Sequence, residues 1–108
     1  MSNIEWFVIQ PELAQAYGCT EADGFLVREG STAMRNGSPK KKRNRDERDR
    51  LVHQGILQPD TNPDLYRFSC DHLFSSPSAA GGVVRDGNCS GPQSWRRTTN
   101  NKTLKELW

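Results

Sequence analysis

The segment "FSSPSAAGGVV", from Phe74 to Val84, decides the fold prediction, because it combines a helix start with a run of small residues. Ser76 is a favourable N-cap residue, and a proline directly after it suits the first turn of a helix. We therefore expect a helix over Pro77–Val84. Glycine lowers helix propensity, so Gly81 and Gly82 indicate that this helix backbone approaches a neighbouring sheet or a ligand closely.

A second helix is expected over Asp46–Gln54, where acidic residues occupy the first turn and Gly55 follows the last. The "DG" pair at 23–24 predicts a turn through which the first two strands pair. A short helix is expected over Pro11–Gly18, and the segment Lys102–Trp108 is expected to form either a strand or a last helical turn. Aromatic and β-branched residues, or alternating polarity, predict the strands: Glu5–Gln10, Phe25–Ala33, Leu65–Ser69 and Ser94–Thr98.

These elements predict an α+β fold, in which a small antiparallel sheet of about four to five strands carries the two main helices. The chain of 108 residues suits a single domain. Only 33% of its residues are hydrophobic and its mean hydropathy is −0.83, but the apolar residues are clustered. Three tryptophans and four phenylalanines provide large contact areas for a core.

The net charge of +2 is small but unevenly distributed. Lys40–Arg50 holds seven basic and three acidic residues, a local charge of +4 that leaves −2 for the rest of the chain. Such local positive charge is typical of a nucleic-acid-binding surface, and a solvated loop followed by an exposed helix start is the alternative. We expect residues 35–46 to form a flexible basic loop.

Cysteine use and the absence of targeting signals favour a cytoplasmic location without membrane association. The three cysteines are far apart and form neither a disulfide framework nor a C-x-x-C pair. The N-terminus lacks the basic and apolar regions of a signal peptide. No apolar run approaches the roughly 18 residues that a membrane span requires.

No catalytic or metal-binding constellation emerges from the sequence. Cys70, His72, Cys89 and His53 match no standard zinc-ligand spacing, and nothing marks a Cys/His pair as activated. We therefore predict no cofactor, no metal and no enzymatic activity, and a small hydrolase or nuclease is the least favoured class.

The order of several motifs resembles a bacterial domain of unknown function that is often found C-terminal to GIY-YIG-type nuclease domains or in restriction-linked proteins. The "SPSAA…G…W" core is also similar to the restriction enzyme and adenine methylase associated (RAMA) domain, which implies binding to DNA, modified DNA included. The resemblance covers roughly Trp6 to Leu107. It is carried by "DGFLVREGSTA", "RDRLVHQGIL", "YRFSCDHLFSSPSAAGGVV", Trp95 and "KTLKEL".

The chain departs from that family pattern in the helix and in the turn after it. Alanines usually continue the helix where this chain has Gly81 and Gly82. The following turn usually has the form G-R-S-x-N-G, and here it is "DGNCSG". Asp86 replaces a glycine, Ser90 replaces an asparagine, and Gly91 matches. These differences affect any ligand specificity that the resemblance implies for the turn.

Together these observations predict a non-catalytic module that binds nucleic acid, most simply double-stranded DNA, in a restriction, defence or mobile-element context. Trp95 is expected in the core, with base stacking as the alternative. The helix start at Ser76 would bind an anion or simply be a capped, closely packed turn. The predicted phosphate-binding residues are basic: Lys40, Lys41, Lys42, Arg43, Arg45, Arg96 and Arg97. The predicted recognition edge comprises Ser76, Ser78, Asn88, Ser90 and Gly91.

The alternative is a protein-interaction module that partners or inhibits a bacterial defence or nuclease system. The mixed charges of "RNRDERDR", from Arg43 to Arg50, suit a protein partner better than a phosphate backbone, which the acidic residues would repel.

Overall fold

The computed structural model describes residues 5–35, 45–87 and 89–107. Within these ranges the chain forms eight strands and four helices. In chain order they are β1 Phe7–Ile9, β2 Ala16–Glu21, β3 Gly24–Val27, β4 Thr32–Met34, α1 Arg45–His53, β5 Leu57–Pro59, β6 Leu65–Phe68, β7 His72–Phe74, α2 Pro77–Arg85, α3 Gly91–Ser94, β8 Arg96–Arg97 and α4 Leu104–Leu107.

The strands form two antiparallel sheets, which confirms the α+β fold class. The larger sheet has five strands in the order β7-β3-β2-β1-β8. The smaller sheet has three strands in the order β4-β6-β5, and this second sheet is not among the features expected from the sequence. Helix α2 packs against β3, β4 and β7 and therefore contacts both sheets.

The expected helix over Pro11–Gly18 is wrong, because its second half belongs to strand β2. The first half is a turn in which the Ala14 N–H donates to the Pro11 carbonyl at 3.0 Å. Gly18 does not end a helix. It makes room for an aromatic ring, since a Cβ there would lie 2.3 Å from Phe25 Cε2. Strand β2 also separates β1 from β3, so the expected pairing of these two strands is wrong too.

The single strand expected over Phe25–Ala33 is divided between the two sheets. Gly30 adopts a left-handed backbone with φ of 87°, and its N–H donates to the Phe68 carbonyl at 3.0 Å. The chain turns there, leaving β3 in the larger sheet and starting β4 in the smaller one. A turn is present where the "DG" pair predicts one, but it lies one residue earlier, because Ala22 and Asp23 connect β2 to β3 and Gly24 begins β3.

Both main helices are confirmed, with the ends that their sequences predict. The Ser76 hydroxyl accepts from the Ala79 N–H at 3.1 Å and caps α2. Helix α1 ends at a left-handed Gly55, where the Ile56 N–H donates to the Leu51 carbonyl and the Gly55 N–H to the Val52 carbonyl. This pair of bonds satisfies the last free carbonyls of the helix. In the C-terminal segment, Leu104–Leu107 form the helix α4, so the helical alternative is correct there.

The small residues of α2 serve close packing. Ala80, Val83 and Val84 are fully buried. A Cβ on Gly81 would lie 2.4 Å from Cys89 Sγ and 3.4 Å from Ile9 Cδ1, so only glycine fits without displacing a neighbour. Contact with the fold itself therefore accounts for the small side chain at Gly81.

The aromatic core joins the two sheets to the C-terminal segment. Trp95 is fully buried, which confirms its expected place in the core. Its ring centroid lies 4.7 Å from that of Phe25. Phe68 and Phe74 meet edge to face, with ring centroids 6.2 Å apart. Among the described residues, none of the helices has the length and the apolar character needed to cross a bilayer.

Candidate nucleic-acid interface

Part of the predicted phosphate-binding set falls outside the described residues. Lys40, Lys41, Lys42 and Arg43 do so, and so does Asn88 of the predicted recognition edge. Arg45 is the first residue of α1. The roles of these residues remain predictions from the sequence, as does the flexible loop expected over residues 35–46, of which 36–44 are outside the described ranges.

The two arginines of β8 have different surroundings. Arg97 forms an ion pair with Glu5, with 2.7 Å between Nη2 and Oε1, and its side chain is 22% exposed. Arg96 is exposed, and its Nη1 donates to the Asn101 carbonyl at 3.0 Å. No carboxylate in the described ranges lies within ion-pair distance of Arg96. Its guanidinium is exposed to solvent and acts on the Glu106 carboxylate only at longer range, where it helps to lower the pKa of that group.

Arg96 lines a groove of about 330 Å³ at the β8 edge of the larger sheet. Arg85, the last residue of α2, is the second cation of this groove and is also exposed. Among the described residues that line the groove, none has an acidic side chain. The other polar residues that line it are Gln10, Gln93, Ser94 and Asn101. We call this feature the Arg85–Arg96 groove.

Helix α2 presents Arg85 through its capped C-terminus. The next residue, Asp86, adopts a left-handed backbone with φ of 53°, and its N–H caps the Gly82 and Val83 carbonyls. The Asp86 carboxylate forms a buried ion pair with Arg48, with 2.8 Å between Oδ1 and Nη1. A cation in the last helical turn is also favoured by the helix dipole. The capped end of α2 therefore fixes the position of the Arg85 backbone.

The other side of the groove is set by strand pairing. Arg96 lies opposite Val8 of β1 in the sheet register. After β8 the chain turns back, with the Asn101 N–H donating to the Arg97 carbonyl at 2.9 Å and the Arg97 N–H to the Lys102 carbonyl at 2.8 Å. Asn101 takes a left-handed backbone with φ of 63° in this turn. The turn places Asn101 in the lining of the groove, where its carbonyl accepts from Arg96 Nη1.

Most of the described residues of the predicted recognition edge make contacts within the fold. The Ser78 hydroxyl accepts from the Gly91 N–H at 3.0 Å. Gly91 lies so close to α2 that a Cβ would be 2.3 Å from the Ser78 nitrogen. The Trp95 Nε1–H donates to the Pro77 carbonyl at 3.0 Å. These contacts join α3 to the start of α2, and only Ser90, the N-cap residue of α3, is exposed there.

Arg48 belongs to the basic run in sequence but is a buried residue in the structure. Its side chain is 4% exposed. Besides the ion pair with Asp86, its Nη2 donates to the Met34 carbonyl, and to the Arg35 carbonyl at 3.0 Å. Its guanidinium also lies 5.2 Å from the centre of the Tyr66 ring. Arg48 therefore joins α1 to β4 and to the end of α2, and its charge faces neither solvent nor a ligand.

The histidine and cysteine chemistry of the described residues gives no further site. In residues 5–35, 45–87 and 89–107, no group of three or more His, Cys, Asp or Glu side chains could hold a metal ion. Burial lowers the pKa of His72. Burial, reinforced by the carboxylate of Glu21, raises the pKa of the Cys19 thiol. A raised pKa keeps that thiol protonated and therefore poorly nucleophilic.

The comparisons place the chain in a family. Residues 7–108 match the model of the family described as "Domain of unknown function (DUF4357)". The chain belongs to this family. The match covers nearly the whole chain, which confirms the predicted resemblance to a domain of unknown function. The comparison with curated proteins gives no match, and the comparison with solved structures gives none either.

Proposed function

We propose that this chain is a non-catalytic module that binds double-stranded DNA. The observation that carries the proposal is the Arg85–Arg96 groove, which is lined by two exposed arginines and, among the described residues, by no acidic side chain. Arginine is well suited to phosphate because its planar fork can form two parallel hydrogen bonds. The groove therefore offers the charge and the donors that a sugar-phosphate backbone requires.

The polar side chains around the two arginines extend this argument. Gln10, Gln93 and Asn101 line the same groove. Amide groups donate and accept hydrogen bonds, so they can contact phosphate and sugar oxygens or the edges of bases. A duplex held by Arg85 and Arg96 would place its nearest nucleotides within reach of these amides.

The amino-acid sequence adds further support. The residues Lys40–Arg43 carry four adjacent positive charges, which suit contact with a phosphate backbone without reading its sequence. The resemblance to the RAMA domain and to domains that follow GIY-YIG-type nucleases supports a restriction, defence or mobile-element context. In that context, cutting would be performed by another domain or chain and this module would supply DNA binding.

A salt series with matched charge variants tests the proposal. Fluorescence anisotropy would measure binding to a duplex of about 20 base pairs, and each phosphate contact adds about 0.9 to the slope of log K against log salt. The double variant Arg85→Gln with Arg96→Gln should therefore flatten the slope by about 2. The control variant, Arg28→Gln with Arg67→Gln, removes two exposed arginines outside the groove and should change it far less.

A duplex with a modified base and a triple lysine variant complete this experiment. Equal slopes for the two double variants would contradict the proposed groove, and no binding at low salt would contradict DNA binding altogether. Comparing duplexes with and without N6-methyladenine tests recognition of a modified base. The triple variant Lys40→Ala, Lys41→Ala and Lys42→Ala should also flatten the slope, and an unchanged slope would remove that segment from the interface.

A further inference from the structure

A second groove lies beside strand β7, at the end of the larger sheet opposite to β8. Its volume is about 490 Å³. One wall is the strand and the serine after it, His72–Ser75. The other wall is a single face of α1, because the four helix residues that line it follow the i, i+3, i+4, i+7 spacing. They are Glu47, Arg50, Leu51 and Gln54.

Strand β7 is an edge strand that has a partner on one side only. It pairs with β3, with Leu26 opposite Leu73 and Phe25 opposite Phe74. In the part of the chain that the structure describes, residues 72–74 make no further backbone hydrogen bond beyond this ladder. An edge strand offers unpaired N–H and C=O groups to another extended chain. The groove beside α1 leaves space for such a chain.

The side chains of the groove define what this chain would carry. Leu73 is 43% exposed, and the buried Leu51 and Phe74 also line the groove. Apolar surface is therefore available to an aliphatic side chain. Two carboxylates, Asp23 and Glu47, line the groove, whereas Arg50 is its one arginine or lysine among the described residues. Burial lowers the pKa of His72, which disfavours its charged form. The described lining residues therefore carry one more carboxylate than guanidinium group.

We propose that the β7–α1 groove binds an extended peptide segment of a protein partner, which adds to β7 as a further strand. The segment pairs its backbone with the free edge of β7. It places a lysine or arginine near Asp23 and Glu47, and an aliphatic residue against Leu73. A helix beside an open sheet edge is a geometry that permits this mode of binding, and the charge of the groove selects a basic segment over an acidic one.

This proposal is independent of DNA binding. The two grooves have no described lining residue in common and lie at opposite ends of the five-stranded sheet. Loss of DNA binding in the arginine variants would leave the peptide proposal unaffected, and the reverse is also true. One module could hold DNA at the β8 end and a protein at the β7 end.

Two pools of capped hexapeptides test the proposal on the full chain. Both pools vary aliphatic residues and threonine at five positions, and the sixth is fixed as lysine in one pool and as glutamate in the other. The ¹⁵N-labelled protein is titrated to millimolar peptide and its amide shifts are recorded. We expect the lysine pool to shift the amides of residues 72–75 and of α1, to slow the exchange of the β7 amides, and to bind more tightly than the glutamate pool.

A pair of charge reversals on the same helix provides the control. Glu47→Lys should weaken binding of the lysine pool by roughly fivefold. Asp49→Lys makes the same charge change at an exposed position of α1 that does not line the groove, and should leave binding unchanged. Amide dispersion verifies that both variants fold. The proposal is overturned if neither pool shifts residues 72–75, if the two pools bind equally, or if the two variants behave alike.

Discussion

Replacing Asp86 by asparagine is expected to destabilise the fold strongly, because it removes the charge that faces a buried guanidinium. The Asp86 and Arg48 side chains are 2% and 4% exposed, and their charged atoms are 2.8 Å apart. Breaking a buried ion pair by changing one partner typically costs about 3–5 kcal/mol. Asparagine retains the shape of the side chain and tolerates the left-handed backbone at this position. We therefore expect the free energy of unfolding to fall by about 3 kcal/mol, at the lower end of this range.

Urea unfolding followed by tryptophan fluorescence measures this loss, since Trp95 is fully buried in the folded state. For a domain of this size each kcal/mol lowers Tm by about 4–8 °C, so Tm should fall by more than about 10 °C. Asp49→Asn, an exposed position on α1, is the control and should change stability by less than about 0.5 kcal/mol.

A second substitution separates the effect of charge from the effect of shape. Arg48→Met removes the other charge of the pair, together with the hydrogen bonds that Arg48 donates to the Met34 and Arg35 carbonyls. Because the two side chains are in contact, the loss of stability in the double variant should be smaller than the sum of the losses in Asp86→Asn and Arg48→Met. A loss below about 1 kcal/mol for Asp86→Asn, or losses that simply add in the double variant, would refute the reasoning.

Two further predictions concern the C-terminal third of the chain. Gly91→Ala would place a Cβ 2.3 Å from the Ser78 nitrogen and 2.4 Å from the Pro77 carbonyl carbon. We expect the free energy of unfolding, measured in urea, to fall by about 1–3 kcal/mol. Unchanged stability would show that α3 can move away from α2 at little cost. Glu106 accepts from the Thr103 N–H and from its hydroxyl, bonds that lower its pKa. A carboxyl-carbon NMR titration should find this pKa below the ordinary 4.5, and Thr103→Ala should move it back upwards. The stabilisation of the fold by the Glu106 carboxylate is present above its ordinary pKa and is lost as the pH falls through its folded-state pKa. A measured Glu106 pKa at or above 4.5 would contradict the contact with Thr103.

The helices were predictable because their signals are local. Ser76 and Gly55 mark one helix start and one helix end, and both act as their sequence contexts predict. A third local signal, the T-x-x-E spacing of Thr103 and Glu106, forms a capping box at the start of α4. The expectation for Lys102–Trp108 includes both a strand and a helical turn, and this capping box favours the helix.

Strand β2 escaped prediction because tertiary pairing overrides its local preference. The segment "PELAQAYG" is rich in residues that favour helices, yet Ala16–Glu21 pairs with β1 on one side and β3 on the other. The division of Phe25–Ala33 is likewise set by a distant contact, from Gly30 to Phe68. Strands as short as three residues, such as β4 and β5, carry too little alternation to be recognised from sequence.

The site was only partly predictable for a related reason. Arg96 was included in the predicted phosphate-binding set, but Arg85 was not, because one arginine beside an aspartate has no local charge excess. Its neighbour Asp86 is held by Arg48, a contact between distant parts of the chain. The pairing of Arg85 with Arg96 exists only in three dimensions.

The most direct test of the central claim is a map of the DNA contact on the folded chain. The ¹⁵N-labelled protein is titrated with a short duplex at low and at moderate salt, and amide shifts are assigned to residues. The account predicts shifts around Arg85, Gln93, Arg96 and Asn101 that weaken as salt increases. Shifts confined to other surfaces, or no shifts at low salt, would contradict it.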